Sequence, residues 1–399
     1  MKIAVVSDII YPWNKGGAEL RYLEIYKRLA KRHEVHYFTM KHPSMKNVHF
    51  DYEGMKVHAV QNAPRALYKD GRRVIIPAIT FSINVLKELG NYSFDIIDVN
   101  ETPFFPIITI WIYRLLNPRS VIVSVWHEHW SLIYWQEYLG FIKGSIGFLI
   151  QQLSTRLPDL IIPVSIPTKL AIQRIGKRKK GISDVILNGI DETDIETLRK
   201  KIRPIRGRII FVGRHIAEKR VDLFINLIRK LGSIFPHASG VIVGDGPERD
   251  RLERLAHGCN IQFTGFIENH KDVLIEIAKS WSFVSFSERE GFNISALEAC
   301  QLGVPTFVRQ DYFDHANQHV ISKESTKAFL ELLQAEEITR LDLDKRYTWK
   351  TIATQTEGVF LHTLNVLRNQ PNDARNDTNK QHKKKNNHLV DKSTKSFIY

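Results

Sequence analysis

Residues 281–305 of this chain have the sequence WSFVSFSEREGFNISALEACQLGVP. The apolar run that ends near Phe286 predicts a strand, the polar residues after it predict a loop, and a helix is expected from about Asn293–Ile294. Glu290 lies in the predicted loop and Glu298 lies inside the predicted helix. Carboxylates at such a junction are well placed to accept hydrogen bonds from the vicinal hydroxyls of a sugar or ribose, and a helix start holds phosphate oxygens. Two other interpretations stay open here: an acid/base pair for hydrolysis, and two exposed glutamates on a charged helix.

The same alternation of short apolar runs and amphipathic stretches extends over most of the chain. Strands that are apolar along their whole length indicate parallel sheets covered by helices on both faces. The sequence therefore predicts an α/β fold with two successive doubly wound domains. The predicted strands are 2–6, 34–39, 55–60, 95–99, 120–125, 159–164, 184–187, 208–212, 240–244, 261–264, 282–286 and 304–308.

Length and composition exclude several classes of protein. The 399 residues are 43% hydrophobic and 25% charged, which suits roughly two globular domains and neither a disordered chain nor a polytopic membrane protein. Two cysteines do not make a disulfide framework or a structural zinc site. The start has no leader pattern, and the apolar runs 103–113 and 139–150 are shorter than the ~20 residues of a spanning helix. A cytoplasmic protein is expected.

The charge is strongly positive, with 57 Lys+Arg against 43 Asp+Glu and a net charge of +14. Residues 370–399 carry seven of these cations against three Asp, and they are predicted to form a disordered basic tail. The remaining positive charge favours anionic partners such as phosphorylated substrates or anionic lipid. No nucleic-acid partner is expected, because no recognised binding module or aromatic stacking platform is present.

Glycines and cations follow the first strand of each predicted domain. Gly16 and Gly17 precede the first helix, where they allow the backbone to approach a ligand closely, although an ordinary turn also explains them. Arg214 and Lys219 follow the first strand of the second domain. A guanidinium and an ammonium on one loop suit a diphosphate, and a solvated basic turn is the alternative.

His127 follows the strand VIVSV in the segment WHEHW. A histidine at this position is a metal ligand, a base or a hydrogen-bonding group, and a structural role is the commoner one. The two histidines of the segment are two residues apart, so the H-E-x-x-H spacing of a zinc protease is absent.

In their order along the chain, these segments resemble the family-four retaining glycosyltransferases (glycosyl transferases group 1) of GT-B fold. The resemblance covers roughly residues 1–310, and the Trp349 segment is similar to the closing helix of the family. It implies two Rossmann-like domains that face each other across a cleft, with a C-terminal helix packing back toward the first domain. The expected units are 1–188 on the acceptor side, 189–345 binding the nucleotide sugar, 346–369 as closing helix and 370–399 as tail. The matching segments are GGAE at 16–19, His127, ILNGID at 186–191, GRHIAEK at 213–219, VGDGPERDRLE at 243–253, FTGFI at 263–267, EGFNISALE at 290–298 and GVP at 303–305.

The resemblance also implies an activity: transfer of a sugar from a UDP- or GDP-linked donor to a glycan or lipid-linked acceptor, with retention of configuration and without a cofactor or metal. Arg214 and Lys219 would bind the donor diphosphate, and Glu298 the ribose. Glu290 would bind the transferred sugar and His127 would line the reaction centre. The remaining donor contacts implied are Gly16, Gly17, Asn293 and Ile294.

Two departures from the family pattern favour an alternative. The family usually has glycine at the position of Asn293, and residues 306–345 are compressed. The alternative is a non-catalytic glycosyltransferase-like subunit that binds nucleotide sugar or a partner. An epimerase or phosphorylase of the same fold is a further alternative.

A polyprenyl-lipid-linked acceptor would bring the enzyme to a membrane. Trp126, Trp130 and Trp135 lie close together in sequence, with Lys143 following them. Tryptophan favours the headgroup region and basic residues favour anionic lipid. Peripheral contact of the first domain with the cytoplasmic face of an anionic membrane is therefore expected, and burial of these aromatics in a core or an acceptor groove is the alternative.

Overall fold

The computed structural model describes residues 1–14, 16–69, 72–176, 178, 181–288, 290–338 and 340–368. It confirms an α/β fold built on two mainly parallel sheets. The predicted tail 370–399 lies outside the described residues.

The first sheet has the order β3-β4-β2-β1-β7-β8-β9. All its pairs are parallel except β3 with β4 at one edge. A short hairpin, β5 with β6, stands apart from it. The strands are β1 Lys2–Val6, β2 Glu34–Lys41, β3 His49–Tyr52, β4 Met55–Asn62, β5 Tyr68–Lys69, β6 Arg72–Arg73, β7 Ile96–Asn100, β8 Val121–Trp126 and β9 Leu160–Pro163.

Helices cover both faces of this sheet, because each parallel crossover needs a connecting element. The first, α1, turns a row of apolar residues inward, including the buried Tyr22, Tyr26 and Leu29. The helices of this part are α1 Gly17–Leu29, α2 Ile76–Leu89, α3 Phe105–Leu116, α4 Leu132–Leu139, α5 Phe141–Ser154 and α6 Ile166–Arg174.

The second sheet has the order β12-β11-β10-β13-β14-β15 and is parallel throughout. Its strands are β10 Arg208–Val212, β11 Ser239–Val243, β12 Ile261–Gly265, β13 Ser282–Ser285, β14 Thr306–Val308 and β15 Gln318–Val320. Its helices are α7 Glu192–Lys201, α8 Val221–Gly232, α9 Arg249–Leu255, α10 His270–Ala278, α11 Ile294–Gln301 and α12 Lys323–Gln334, with 3₁₀ turns at Ala217–Lys219 and Lys345–Tyr347.

The last helix, α13 (Trp349–Arg368), returns to the first domain and packs against α1. Glu357 accepts hydrogen bonds from Arg32 and from His33, the latter at 2.6 Å. Arg368 pairs with Asp95, which directly precedes β7. The predicted return of the closing helix is confirmed.

The predicted strand 184–187 is wrong. Ile186 is buried, but the segment belongs to no strand and runs as an extended connection between the two sheets. The Ile186 amide donates to the carbonyl of Pro163 at the end of β9, so the segment runs beside that strand but forms no continuous ladder with it. Among the described residues, no helix is both long and apolar enough to span a bilayer.

Candidate active site

The strand orders place a topological switch point in each sheet. In the second sheet, the connections from β10 and from β13 leave in opposite directions, and in the first sheet β1 and β7 are such a pair. Ligands of open parallel sheets bind at the carboxyl ends of strands at this point. Arg214 and Lys219 follow β10, and Glu290 follows β13, so the three predicted residues flank one switch point.

Lys219 and Glu290 form an ion pair. The Lys219 ammonium donates a hydrogen bond to Oε1 of Glu290 at 2.6 Å, and both side chains are largely buried. The other oxygen of Glu290 is buried and has no partner among the described residues. Because a buried carboxylate oxygen without a partner is costly, this oxygen is suited to a ligand hydroxyl. Arg214 is exposed on the same loop and acts electrostatically on Glu19 of the first domain.

Glu298 is buried one turn into α11 and pairs with His270 at the start of α10. The imidazole Nε2 donates to Oε1 of Glu298 at 2.8 Å. The negative charge of Glu298 raises the pKa of His270 to about 9, so this histidine is a cation at neutral pH. Oε2 of Glu298 is buried and, within the described part of the chain, unpartnered. The site therefore offers a second acceptor for a hydroxyl.

Asn293 is the N-cap of α11. Its side-chain oxygen accepts from the Ala296 amide at 2.9 Å, and its amide group donates to Ser285 Oγ at 3.4 Å. Asn293 thus has a local structural role, which is to cap the helix. The amides of Ile294 and Ser295, which have no intrahelical partner, stay at the helix start as donors for an anion.

His127 lies opposite, at the end of β8. Its backbone amide donates to Glu101 Oε1 at 2.9 Å, and its carbonyl accepts from Thr168 Oγ1 at 2.8 Å. Burial, with a smaller effect of Arg21, lowers the pKa of His127 to about 3, so the ring is neutral. Its Nε2 is buried and lacks a partner in the described residues. A neutral imidazole suits a hydrogen bond to a ligand more than a charge interaction.

The two domains touch at glycines. The Gly291 amide donates to Glu128 Oε1 at 3.1 Å, and a Cβ atom added to Gly291 would lie 1.8 Å from the His127 carbonyl oxygen. A Cβ on Gly17 would lie 2.6 Å from Cδ1 of Ile294. The structure therefore brings Gly17, His127 and the α11 start together, across the cleft between the sheets.

Gly16 has a different neighbour. A Cβ atom there would lie 2.2 Å from a carboxylate oxygen of Glu19 in the same helix. Burial raises the pKa of Glu19. The glycine thus makes room for an acidic side chain that faces the second domain's Arg214.

Two residues of this region were not predicted. Glu101 follows β7, and burial raises its pKa to about 8, while its Oε2 has no partner among the described residues. Its position two residues beyond the predicted strand 95–99 was the available signal. Tyr312 has a buried, unpartnered hydroxyl in the described structure, and Glu290 and Glu128 lie close enough to raise its pKa further above the effect of burial. It comes from the compressed segment after β14, where no motif pointed to it.

Sequence models of two families match this chain. "Glycosyltransferase Family 4" matches residues 15–194, and "Glycosyl transferases group 1" matches residues 194–340. The chain is a group 1 glycosyltransferase. The two matched regions meet at residue 194, close to the connection between the two sheets.

Curated relatives of this glycosyltransferase are named for the transfer of different sugars. The Homo sapiens relative, one of the subunits of phosphatidylinositol N-acetylglucosaminyltransferase, is 24% identical over 90% of this chain and 75% of its own length. Sulfoquinovosyl transferase SQD2 of Arabidopsis thaliana is 35% identical over 57% of this chain and 45% of its own length. A GDP-mannose-dependent phosphatidylinositol dimannoside mannosyltransferase of Mycobacterium tuberculosis is 35% identical over 26% of this chain and 28% of its own.

Solved structures support the GT-B fold of the glycosyltransferase. Sucrose-phosphate synthase from Thermosynechococcus elongatus has a TM-score of 0.68 at 15% identity, covering 92% of this chain and 99% of that one. The catalytic domain of starch synthase IV from Arabidopsis thaliana, bound to ADP and acarbose, has a TM-score of 0.64 at 14% identity, covering 91% and 99%.

Proposed function

We propose that this glycosyltransferase moves a sugar from a UDP- or GDP-linked donor to a lipid-linked or glycan acceptor, with retention and without a divalent metal. The observation that carries the proposal is that Glu290, Glu298 and His127 each have a buried polar atom with no hydrogen-bond partner among the described residues. Hydroxyl-rich ligands supply the donors that these atoms lack.

In the proposed reaction, the bond between the anomeric carbon and the diphosphate oxygen breaks, and a bond to an acceptor oxygen forms on the same face of the sugar. Arg214 and Lys219 stabilise the departing diphosphate in place of a metal ion. Glu290 and His127 hold the transferred sugar, and Glu298 holds the ribose. The acceptor proton leaves with the diphosphate, so that charge and atoms balance.

A donor-binding measurement tests this assignment. Arg214→Ala with Lys219→Ala should lose charge-assisted phosphate contacts of about 1.5–3 kcal/mol each, measured by calorimetric titration with UDP, GDP and their sugars. Lys230→Ala with Arg254→Ala, which removes two cations from the same domain, is the matched control. Unchanged donor affinity in the first double variant would contradict the site.

Activity assays separate the proposal from its alternative. Transfer to an acceptor, or slow hydrolysis of the donor, identifies an enzyme, whereas binding without either identifies a non-catalytic subunit. Excess EDTA should leave the rate nearly unchanged. If the rate is lost in EDTA and restored by Mg²⁺ or Mn²⁺, Arg214 and Lys219 do not replace a metal ion at the diphosphate.

We propose that the first domain contacts a membrane, but through a different surface from the predicted tryptophan segment. Trp126 and Trp135 are buried, and the Trp130 indole donates to Glu128 beside the cleft, so these residues do not form a lipid-facing patch. Helices α2 to α5 instead expose large apolar side chains. The most exposed are Ile76, Leu116, Ile133, Phe141, Ile142 and Leu149.

This apolar surface fits the headgroup boundary of an anionic membrane. Relatives named for phosphatidylinositol support a lipid-linked acceptor. Phe141→Ser with Ile142→Ser should reduce co-sedimentation with anionic vesicles at low salt. Ile234→Ser, at an exposed apolar position of the second domain, should not. Vesicle binding that survives the first double variant would place the contact elsewhere.

A further inference from the structure

Three histidines and two glutamates meet at the outer edge of the first sheet, away from the cleft. His36 lies on β2, and His49 and His58 lie directly opposite each other on β3 and β4. Glu34 begins β2, and Glu88 lies in the last turn of α2. His36 and His58 are buried, whereas His49 is exposed.

A chain of hydrogen bonds fixes which ring nitrogens carry hydrogen. Contacts with Lys56 and His36 lower the pKa of Glu34 to about 2, so Glu34 is a carboxylate and accepts from His36 Nε2 at 3.0 Å. This hydrogen bond places the His36 proton on Nε2 and leaves its Nδ1 as an acceptor.

The tautomers follow from this chain. With its proton on Nε2 directed at Glu34, His36 accepts at Nδ1 from His58 Nε2, 2.9 Å away. His58 therefore presents an unprotonated Nδ1. His58 Nδ1 lies 3.2 Å from His49 Nδ1 and 3.6 Å from Glu88 Oε1, so possible ligand atoms from three elements lie close together.

The spacing of these atoms matches that of metal ligands. The three ligand atoms of His49, His58 and Glu88 lie within 4.8 Å of one another. Two nitrogens bound tetrahedrally at about 2.0–2.1 Å are about 3.3–3.4 Å apart, close to the 3.2 Å between the two Nδ1 atoms. A metal-bound histidine commonly donates a hydrogen bond from its other ring nitrogen to a partner that orients the ring. His36, held by Glu34, occupies that position for His58.

We propose that His49, His58 and Glu88 bind a divalent transition-metal ion of the zinc class, with His36 and Glu34 orienting the His58 ring. Imidazole and carboxylate are ligands that such ions favour, and three protein ligands leave a coordination position for water. The bound ion ties the edge strand β3 to β4 and to the end of α2. Its role is structural, because the residues of the cleft follow β1, β7 and β8, whereas the two histidine ligands lie on the outer strands β3 and β4.

Zinc titration of the EDTA-treated full chain tests the proposal, with a chromophoric chelator as competitor and thermal unfolding as a second readout. The wild type should bind one tight equivalent of Zn²⁺ that raises the melting temperature. His49→Ala and Glu88→Gln should each lose this equivalent. Both positions are at least partly exposed, so folding is expected to persist.

Two further variants make the result specific. Glu34→Gln should weaken Zn²⁺ binding by about 10–100-fold, because it frees the His36 ring that orients His58. His42→Ala, a histidine of the same domain outside the cluster, should bind like the wild type. Absence of a tight equivalent in the wild type would overturn the proposal and leave a hydrogen-bonded histidine chain. A tight equivalent that persists in His49→Ala and Glu88→Gln would overturn it as well.

Discussion

Within the proposed donor site, the charge of one residue, His270, depends on Glu298. The folded pKa of about 9 lies above the ordinary 6.5, chiefly because of the nearby carboxylate. A raised pKa of a base means that the charged pair stabilises the fold fully below pH 6.5 and that this contribution is lost as the pH rises through 9.

Glu298→Gln removes that dependence. The histidine should then titrate near its ordinary pKa, which NMR of the His270 ring measures directly. The melting temperature of the wild type should exceed that of the variant below pH 6.5, and the difference should shrink toward pH 10. Glu253→Gln, an exposed change on α9, serves as control. An unchanged His270 pKa in Glu298→Gln would refute the coupling.

Residue types at strand ends pointed to several residues of the candidate site, and their roles stay predictions. Lys219, Glu290 and Glu298 occur at a loop and a helix start that their local sequence marks, and the structure brings Lys219 and Glu290 together. What escaped prediction depends on distant contacts. Tyr312 lies near Glu290 only because the chain folds back after β14. No local sequence pattern predicts this long-range contact.

At the scale of the element, the start of α11 depends on one side chain. Asn293→Ala removes the hydrogen bond to the Ala296 amide and should cost about 1 kcal/mol of unfolding free energy, measured by urea denaturation. Asn293→Gly should cost only a few tenths of that amount. Ser131→Ala, which uncaps α4 in the first domain, should lose similar stability.

Nucleotide affinity should distinguish the cap of α11 from the cap of α4. We expect it to fall in Asn293→Ala, because the helix-start amides lose their fixed orientation, and to stay unchanged in Ser131→Ala. If both variants bind nucleotide alike, α11 does not hold the phosphates.

Most strands could be predicted from the sequence, because a parallel strand is buried on both faces and its sequence is therefore apolar throughout. β1 and β10 are examples, each buried along nearly its whole length. The edge strand β3 escaped this rule, because its residues alternate between exposed and half-buried. Conversely, 184–187 is not a strand although Ile186 is buried, because the segment joins the end of β9 by the Ile186 amide and forms no continuous ladder.

For the whole molecule, contact between the domains depends on the lack of a side chain at Gly291. Gly291→Ala places a methyl group against the His127 carbonyl and should separate the domains at the cleft. We expect transfer activity to fall steeply and small-angle X-ray scattering to show a larger radius of gyration, with little change in each domain's own secondary structure.

Gly358→Ala is the matched control. Gly358 lies exposed inside α13 with no atom within 4 Å of an added Cβ. Alanine there should raise stability by about 0.5–1 kcal/mol and leave activity intact. Full activity in Gly291→Ala would show that the domains do not need this contact.

The return of α13 to α1 has a consequence for biosynthesis. About 320 residues separate the end of α1 from the start of α13, so the ribosome delivers the two partners far apart in time. At roughly 5–20 residues per second, α1 waits on the order of 15–65 s for the helix that covers it. During that interval the nascent first domain exposes the apolar surface that α13 later covers, and a chaperone is expected to occupy it until translation ends.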